Sequence, residues 1–272
     1  MPVRNPFSRF RVAWTTSFVR SPKGRGANMR NTLIVTKREL GAYFSTPVAY
    51  VFLVIFLAAI GAFTFYLGAF FSRGQADLQP FFSFHPWLYL FLIPAIGMRL
   101  WAEERKTGTI ELLLTLPVST FQVVFGKFLA AWLFTLLALL LTFPIWITVN
   151  ILGDPDNGVV VASYVGSWLM AGAFLALVAC LSALTKNQII AFIVGSAVSF
   201  LFLMAGLDIV LGAFRAWAPD WVVDVVASLS FLTNFQLISK GVIDLREIVF
   251  FVSMIGIFLF ANTAIVDLKK SA

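Results

Sequence analysis

Residues 78–98 read LQPFFSFHPWLYLFLIPAIGM and carry no charge, and residues 99–111 follow as RLWAEERKTGTIE, with six charges in thirteen positions. A helix needs about 20 apolar residues to cross the hydrocarbon of a bilayer. A tight group of charges of both signs cannot follow it there, so the chain must turn round in water at this point. Residues 112–117 then return to LLLTLP. This alternation decides the fold class, because it recurs along the whole chain.

Charges are the costliest residues to place in hydrocarbon, so the gaps between them locate the spans. Residues 40–72, 78–98, 128–153, 157–185, 187–207 and 248–266 are uncharged. They predict an all-α polytopic membrane protein with six transmembrane helices, near 48–71, 82–98, 128–149, 164–184, 188–207 and 248–266. A seventh gap, 225–239, is shorter and contains Ser228, Ser230, Thr233, Asn234 and Gln236. It predicts an interfacial or re-entrant helix, with Pro219 suiting its start.

Composition agrees. Of 272 residues, 60% are hydrophobic, 16% aromatic and 12% charged, with mean hydropathy +0.91. Soluble domains average roughly 25% charged residues, so too few charges exist here to cover a water-facing surface. A soluble enzyme, a disordered chain and a nucleic-acid-binding domain are excluded. One cysteine, Cys180, allows no intramolecular disulfide, and one histidine, His85, leaves no ligand set for a structural zinc. Cys180 is expected in the packed core and His85 in a turn at the outer face. Nothing resembles a catalytic triad or an intramembrane carboxylate pair.

Orientation follows from lysine and arginine. With the N-terminus inside, the inner segments hold sixteen basic residues and the outer ones four. This positive-inside bias places both termini in the cytoplasm. The net charge of +7 is then the sum of a basic inner face and an acidic outer one. Trp87, Trp101, Trp217 and Trp221 fall near span ends, where interfacial anchors belong. Asp208 and Arg215 are expected to pair at the outer interface. Asn150, Asn187 and Asn262 fall at span ends and need no special role.

Residues 1–29 form a basic arm, and residues 1–30 hold seven basic residues and no acid. The stretch lacks the apolar run of a signal peptide. Three readings stand: a disordered arm on anionic lipid, a surface helix carrying Phe7, Phe10, Trp14 and Phe18, or a translation start at Met29. In 30–45, Leu33, Ile34, Lys37, Leu40 and Phe44 recur at helical spacing, predicting an amphipathic helix on the cytoplasmic interface that enters the first span through Pro47.

Between spans two and three, Thr107, Gly108 and Thr109 read as a turn and cap. Glu111 falls early in the next helix, where the positive dipole end favours an acid. Ile110, Leu113 and Leu114 make that helix amphipathic and Pro117 ends it. The result is a short cytoplasmic helix lying across the inner face.

EERKTGTIELLLTLPVS (103–119) followed by FQVVFGK (121–127) resembles the coupling-helix signature of ABC-2-type transporter permeases. KRELGAYFSTPVAYVF (37–52) is similar to that family's approach to its first span, and SFLTNFQLISKGVIDLREIVFF (230–251) resembles the region before span six in its gliding-motility-type subfamily. The resemblance covers 30–272, as one permease transmembrane domain. It implies the membrane subunit of an ATP-driven exporter in the bacterial inner membrane, without catalytic residues. The chain has no G-x-x-x-x-G-K-[ST] phosphate loop, since Gly126-Lys127 lacks the earlier glycine. It therefore carries no cofactor; ATP and Mg would bind a separate ABC ATPase subunit present in two copies. Glu103, Glu104, Arg105 and Glu111 would set docking register with that ATPase, Thr107, Gly108 and Thr109 would form the turn, and Ile110, Leu113 and Leu114 would supply buried contact. Six spans are half a usual pore, implying a second permease copy in a homo- or heterodimer. Gly172-x-x-x-Ala176 and Gly195-x-x-x-Ser199 are candidate close-approach motifs for helix pairing. A periplasmic auxiliary subunit could face Asp220, Asp224, Asp244 and Glu247. Two other readings are an ATP-driven mechanical complex that exports nothing and an ion-coupled secondary transporter.

Overall fold

The molecule is organised around one helix of small residues. Ala, Gly, Ser and Cys occupy much of 162–182, so neighbouring backbones can come close from every side. In the computed structural model, which describes residues 25–108, 118–215, 217–241 and 244–270, this stretch belongs to Asn157–Ser182.

The helices, in chain order, are α1 (Arg25–Phe44), α2 (Pro47–Ala62, continued by a π-turn, Phe63–Leu67), α3 (Gln79–Ser83), α4 (His85–Gly97), α5 (Arg99–Thr107), α6 (Thr120–Leu140), α7 (Phe143–Leu152), α8 (Asn157–Ser182), α9 (Gln188–Met204), α10 (Asp208–Arg215), α11 (Asp220–Ser228), α12 (Phe231–Ser239) and α13 (Leu245–Lys270). The most apolar window of α8 is 83% buried, against 22% for the run Pro47–Leu67, so α8 is the hub and α2 lies at the periphery. Around α8 pack α4, α6, α9, α12 and α13. A Cβ at Gly172 would sit 2.7 Å from Trp132 Nε1, and one at Gly166 would sit 2.8 Å from Ile238. The indoles of Trp132 and Trp168 stack at 4.1 Å, and each donates to the other's backbone carbonyl, at 2.9 and 3.2 Å.

Helix ends follow local chemistry. Asp156 caps α8, accepting from Gly158 and Val159 N–H groups at 2.9 and 3.2 Å. Ser119 and Gln122 form a reciprocal capping box on α6. Asn187 caps α9 and Ser230 caps α12 through the Thr233 N–H. Pro47 supplies the first residue of α2, where its missing N–H costs least.

Four runs are long and apolar enough to cross a membrane: Pro47–Leu67, Thr120–Leu152, Asn157–Ser182 and Leu245–Lys269. Two bent pairs pass the same test together. They are α9 with α10, bent by 79°, and α11 with α12, bent by 61°, which would bring the total to six. The membership differs from the sequence expectation in two places. The expected second span is α4, only thirteen residues and about 20 Å long; the run containing it is broken at Phe84 and at Met98. Pro86 at its start and Pro94 inside it each remove a backbone donor. The segment 225–239 belongs to the α11–α12 pair, begun just after Pro219 as anticipated. The run Thr120–Leu152 is also interrupted, at Leu141–Thr142, where Pro144 cannot donate and the Thr142 hydroxyl donates to Leu139 O at 2.6 Å.

Several side chains sit elsewhere than anticipated. On α1 the buried residues are Asn31, Val35 and Thr36, while Leu33 and Lys37 are exposed. Leu40, Tyr43 and Phe44 are half-buried against the core, and α1 begins at Arg25 rather than near residue 30. His85 is fully buried, not in a turn: its Nδ1 lies 3.0 Å from Phe81 O and its ring is surrounded by Phe56, Phe81, Phe82 and Tyr89. Trp101 is 1% exposed and anchors nothing at an interface, whereas Trp217 and Trp221 are largely exposed. Asp208 and Arg215 stand at opposite ends of α10, about 10 Å apart along its axis, and form none of the described ion pairs. Gly172 and Gly195 face Trp132 and Val178 of the same chain, so both small-residue motifs are used within the protomer. Cys180 is buried, as expected.

Candidate functional site

Val123, Val124, Phe128 and Ala131 make one face of α6 apolar and buried, and Lys127 lies in the middle of that face. A lone ammonium there would carry a desolvation penalty of several kcal/mol. It is compensated by two carboxylates. Lys127 Nζ lies 2.7 Å from Glu104 Oε1 of α5 and 3.2 Å from Glu39 Oε2 of α1. The Lys127 side chain is 3% exposed and each carboxylate partner 16%. The ammonium also stands 5.6 Å from the ring centroid of Trp101, a distance at which the ring face attracts a cation. One charge thus fastens three helices.

The backbone approach that brings these helices together is set by the residue before the lysine. A Cβ at Gly126 would meet Val35 Cγ1 at 2.8 Å, so only glycine lets α1 lie this close to α6. The Thr36 hydroxyl, placed by that approach, lies 3.2 Å from Gly126 O. Thr120 hydrogen-bonds Asp267, tying the start of α6 to the end of α13.

The sequence-identified residues divide into three groups. Glu103 pairs with Arg99 one turn back, through Nε at 2.8 Å and Nη2 at 3.4 Å, with both groups partly exposed. That hydrogen bond holds the Arg99 guanidinium above its ordinary value, so it stays charged. Glu104 and Arg105 point into the protein. Glu104 meets Lys127, and Arg105 Nη1 donates to Ala183 O at 2.7 Å. Thr107 Oγ1 donates to Glu103 O at 3.0 Å, and Gly108 ends α5 in the left-handed region, at φ +71°. That conformation matches the expected turn and favours glycine. Thr109, Ile110, Glu111, Leu113 and Leu114 lie outside the described residues.

Glu39, Trp101 and Lys127 were not singled out by the sequence motif. The signal for Lys127 was available: residues three and four before it and one and four after it are all apolar, which places a lysine on a face that must be buried. Its partners lie 88 and 23 positions away and could not be read from spacing. Among the described residues no group of three or more His, Cys, Asp or Glu side chains could hold a metal ion.

The family profile described as ABC-2 family transporter protein matches residues 75–243, which is more than half of the chain. The match runs from the turn before α3, through the Glu103–Gly108 motif, Lys127 and α8, to the end of α12. No curated protein matches. The chain therefore belongs to the ABC-2 family of transporter proteins, a family of membrane permeases that are generally non-catalytic and associate with an ABC ATPase.

Proposed function

We propose that this chain is the membrane-spanning subunit of an ATP-driven exporter of the gliding-motility-type subfamily, in the bacterial inner membrane with both termini in the cytoplasm. It pairs with a second permease copy, and two copies of an ABC ATPase bind ATP and Mg and drive it. The segment 109–117 docks on the ATPase, with Ile110, Leu113 and Leu114 as buried contact and Glu103 and Glu111 setting register.

The observation that carries this reading is the fastening of α5. It leads directly into the docking segment and is held on two sides, by Glu104 on Lys127 and by Arg105 on Ala183 O. A helix so fixed transmits displacement instead of absorbing it. Glu104 and Arg105 are accordingly anchors of the lever rather than docking residues. On the far face, Asp220, Asp224 and Asp244 are exposed and can meet an auxiliary subunit, whereas Glu247, at 4% exposure, cannot.

The test is co-purification with the ATPase and measurement of its hydrolysis rate in the complex. Glu111→Ala should remove a docking charge, and Gly108→Pro should destroy the turn, because proline cannot adopt a positive φ. Both should lose permease-dependent stimulation of hydrolysis. Unchanged stimulation in both variants would refute the docking assignment.

A further inference from the structure

The break between α4 and α5 is filled by a side chain from another helix. In an unbroken helix the Trp101 N–H would donate to Gly97 O, four residues back. Here it turns instead to the Ser182 hydroxyl, at 3.3 Å. That hydroxyl also accepts from Ala102 N–H at 3.1 Å and donates to Met98 O at 2.8 Å. Ser182 is fully buried, so no water competes for these bonds. An inserted polar group is one of the few physical causes of an interruption in a helix.

A second, independent feature makes the insertion possible. Val178 precedes Ser182 by one helical turn, on the same face of α8. A Cβ at Gly97 would sit 2.7 Å from Val178 Cγ1. Only a glycine there brings the two backbones close enough for a side chain as short as serine to reach into the break. Beyond it, the carbonyls at the end of α8 are held by cations from both sides. Arg105 Nη1 reaches Ala183 O at 2.7 Å, and Lys269 Nζ reaches Ala183 O at 3.0 Å and Leu184 O at 2.9 Å.

We propose that Ser182 is a positioning residue that acts as a removable wedge and sets the angle at which α5 leaves α4. With the hydroxyl inserted the helix is broken and α5 is turned toward α8. With it withdrawn, Trp101 N–H turns back to Gly97 O and α4–α5 become one continuous helix. Movement of the end of α8 thereby redirects the segment beyond Gly108. This deepens the proposed function and rests on that segment meeting the ATPase.

The experiment uses the full chain in nanodiscs with its ATPase, spin-labelled at the exposed positions Lys106 and Lys186. The label separation is measured without nucleotide and with ATP plus vanadate. The unsubstituted labelled protein should show a nucleotide-driven shift. Ser182→Ala should hold a single separation, different from the nucleotide-free starting value, and lose that shift while still pulling down the ATPase. Ser182→Thr, which keeps the hydroxyl, should restore both. A Ser182→Ala protein whose separations equal those of the unsubstituted one in both conditions overturns the wedge. If the ATPase does not bind the unsubstituted protein, the proposed function falls. The wedge is then judged on the nucleotide-free separation, which Ser182→Ala must change for it to stand.

Discussion

The two ends of the bundle use charge in opposite ways. At the Lys127 end, ionised groups join different helices: Lys127 meets α1 and α5, while Arg105 and Lys269 converge on the carbonyls that end α8. At the Asp156 end they serve their own segment. Asp156 caps the helix that follows it, Asp77 accepts from Gln79 N–H at 3.1 Å, and Arg73 pairs with Asp77 four residues on. Tertiary contact there is made by apolar, aromatic and neutral polar groups instead. His85 sits among rings, Trp146 Nε1 donates to Asn157 at 2.7 Å, and the Tyr89 and Ser167 hydroxyls meet at 2.7 Å. A cavity of about 230 Å³ remains open beside Asp77, Gln79, Asp156 and Ser239. Where charges cross between helices, losing one should disturb several elements; where they stay local, the loss should remain local.

The strongest test of that contrast is Lys127→Met. It leaves Glu39 and Glu104 facing each other with no cation, and should destabilise the fold by about 3–5 kcal/mol, read by equilibrium unfolding in mixed micelles. Neutralising the carboxylates as well, in a Glu39→Gln, Glu104→Gln, Lys127→Met variant, should recover most of the loss. No recovery would mean that packing rather than charge holds the junction.

Gly97→Ala comes next. Its methyl would collide with Val178 at 2.7 Å. Overpacking costs about 1–3 kcal/mol, and the ~1 kcal/mol helix preference of alanine over glycine offsets only part of it. A stabilised variant would show that α4 and α8 separate easily. At the other end, Asp156→Ala should cost about 1 kcal/mol through loss of the cap, with faster hydrogen exchange confined to the first turn of α8. The smallest effect is expected for Arg73→Gln. The pair is exposed, at 33% and 40% side-chain accessibility, and such pairs contribute about 0–1 kcal/mol. A change in thermal midpoint as large as that of Lys127→Met would erase the distinction between the two ends.

What the sequence revealed divides along similar lines. Helices α2, α8 and α9 fall inside uncharged gaps, because hydrocarbon excludes charge whatever the tertiary arrangement. A turn around Gly108 was readable because its cause is local, though its left-handed backbone was not specified. The breaks near Met98 and Thr142 were not, since each depends on a hydroxyl or a proline acting within a particular packing. Lys127 shows the boundary most clearly. A charge count assigns it to one side of the membrane, yet its role comes from Glu39 and Glu104, and nothing in its neighbourhood names them. His85 was misplaced for the converse reason: beside Pro86 it reads as a turn residue, and only the surrounding rings make it part of the core.

The paired indoles of Trp132 and Trp168 have a mechanical consequence. Each is bonded to the backbone of the opposite helix, so α6 and α8 cannot slide along each other without breaking both bonds together. They can still tilt about the stack. The pair is therefore a fulcrum partway along two long arms. Spreading the arms at the Lys127 end draws them together at the Asp156 end, so a pull on one face arrives at the other with its direction reversed.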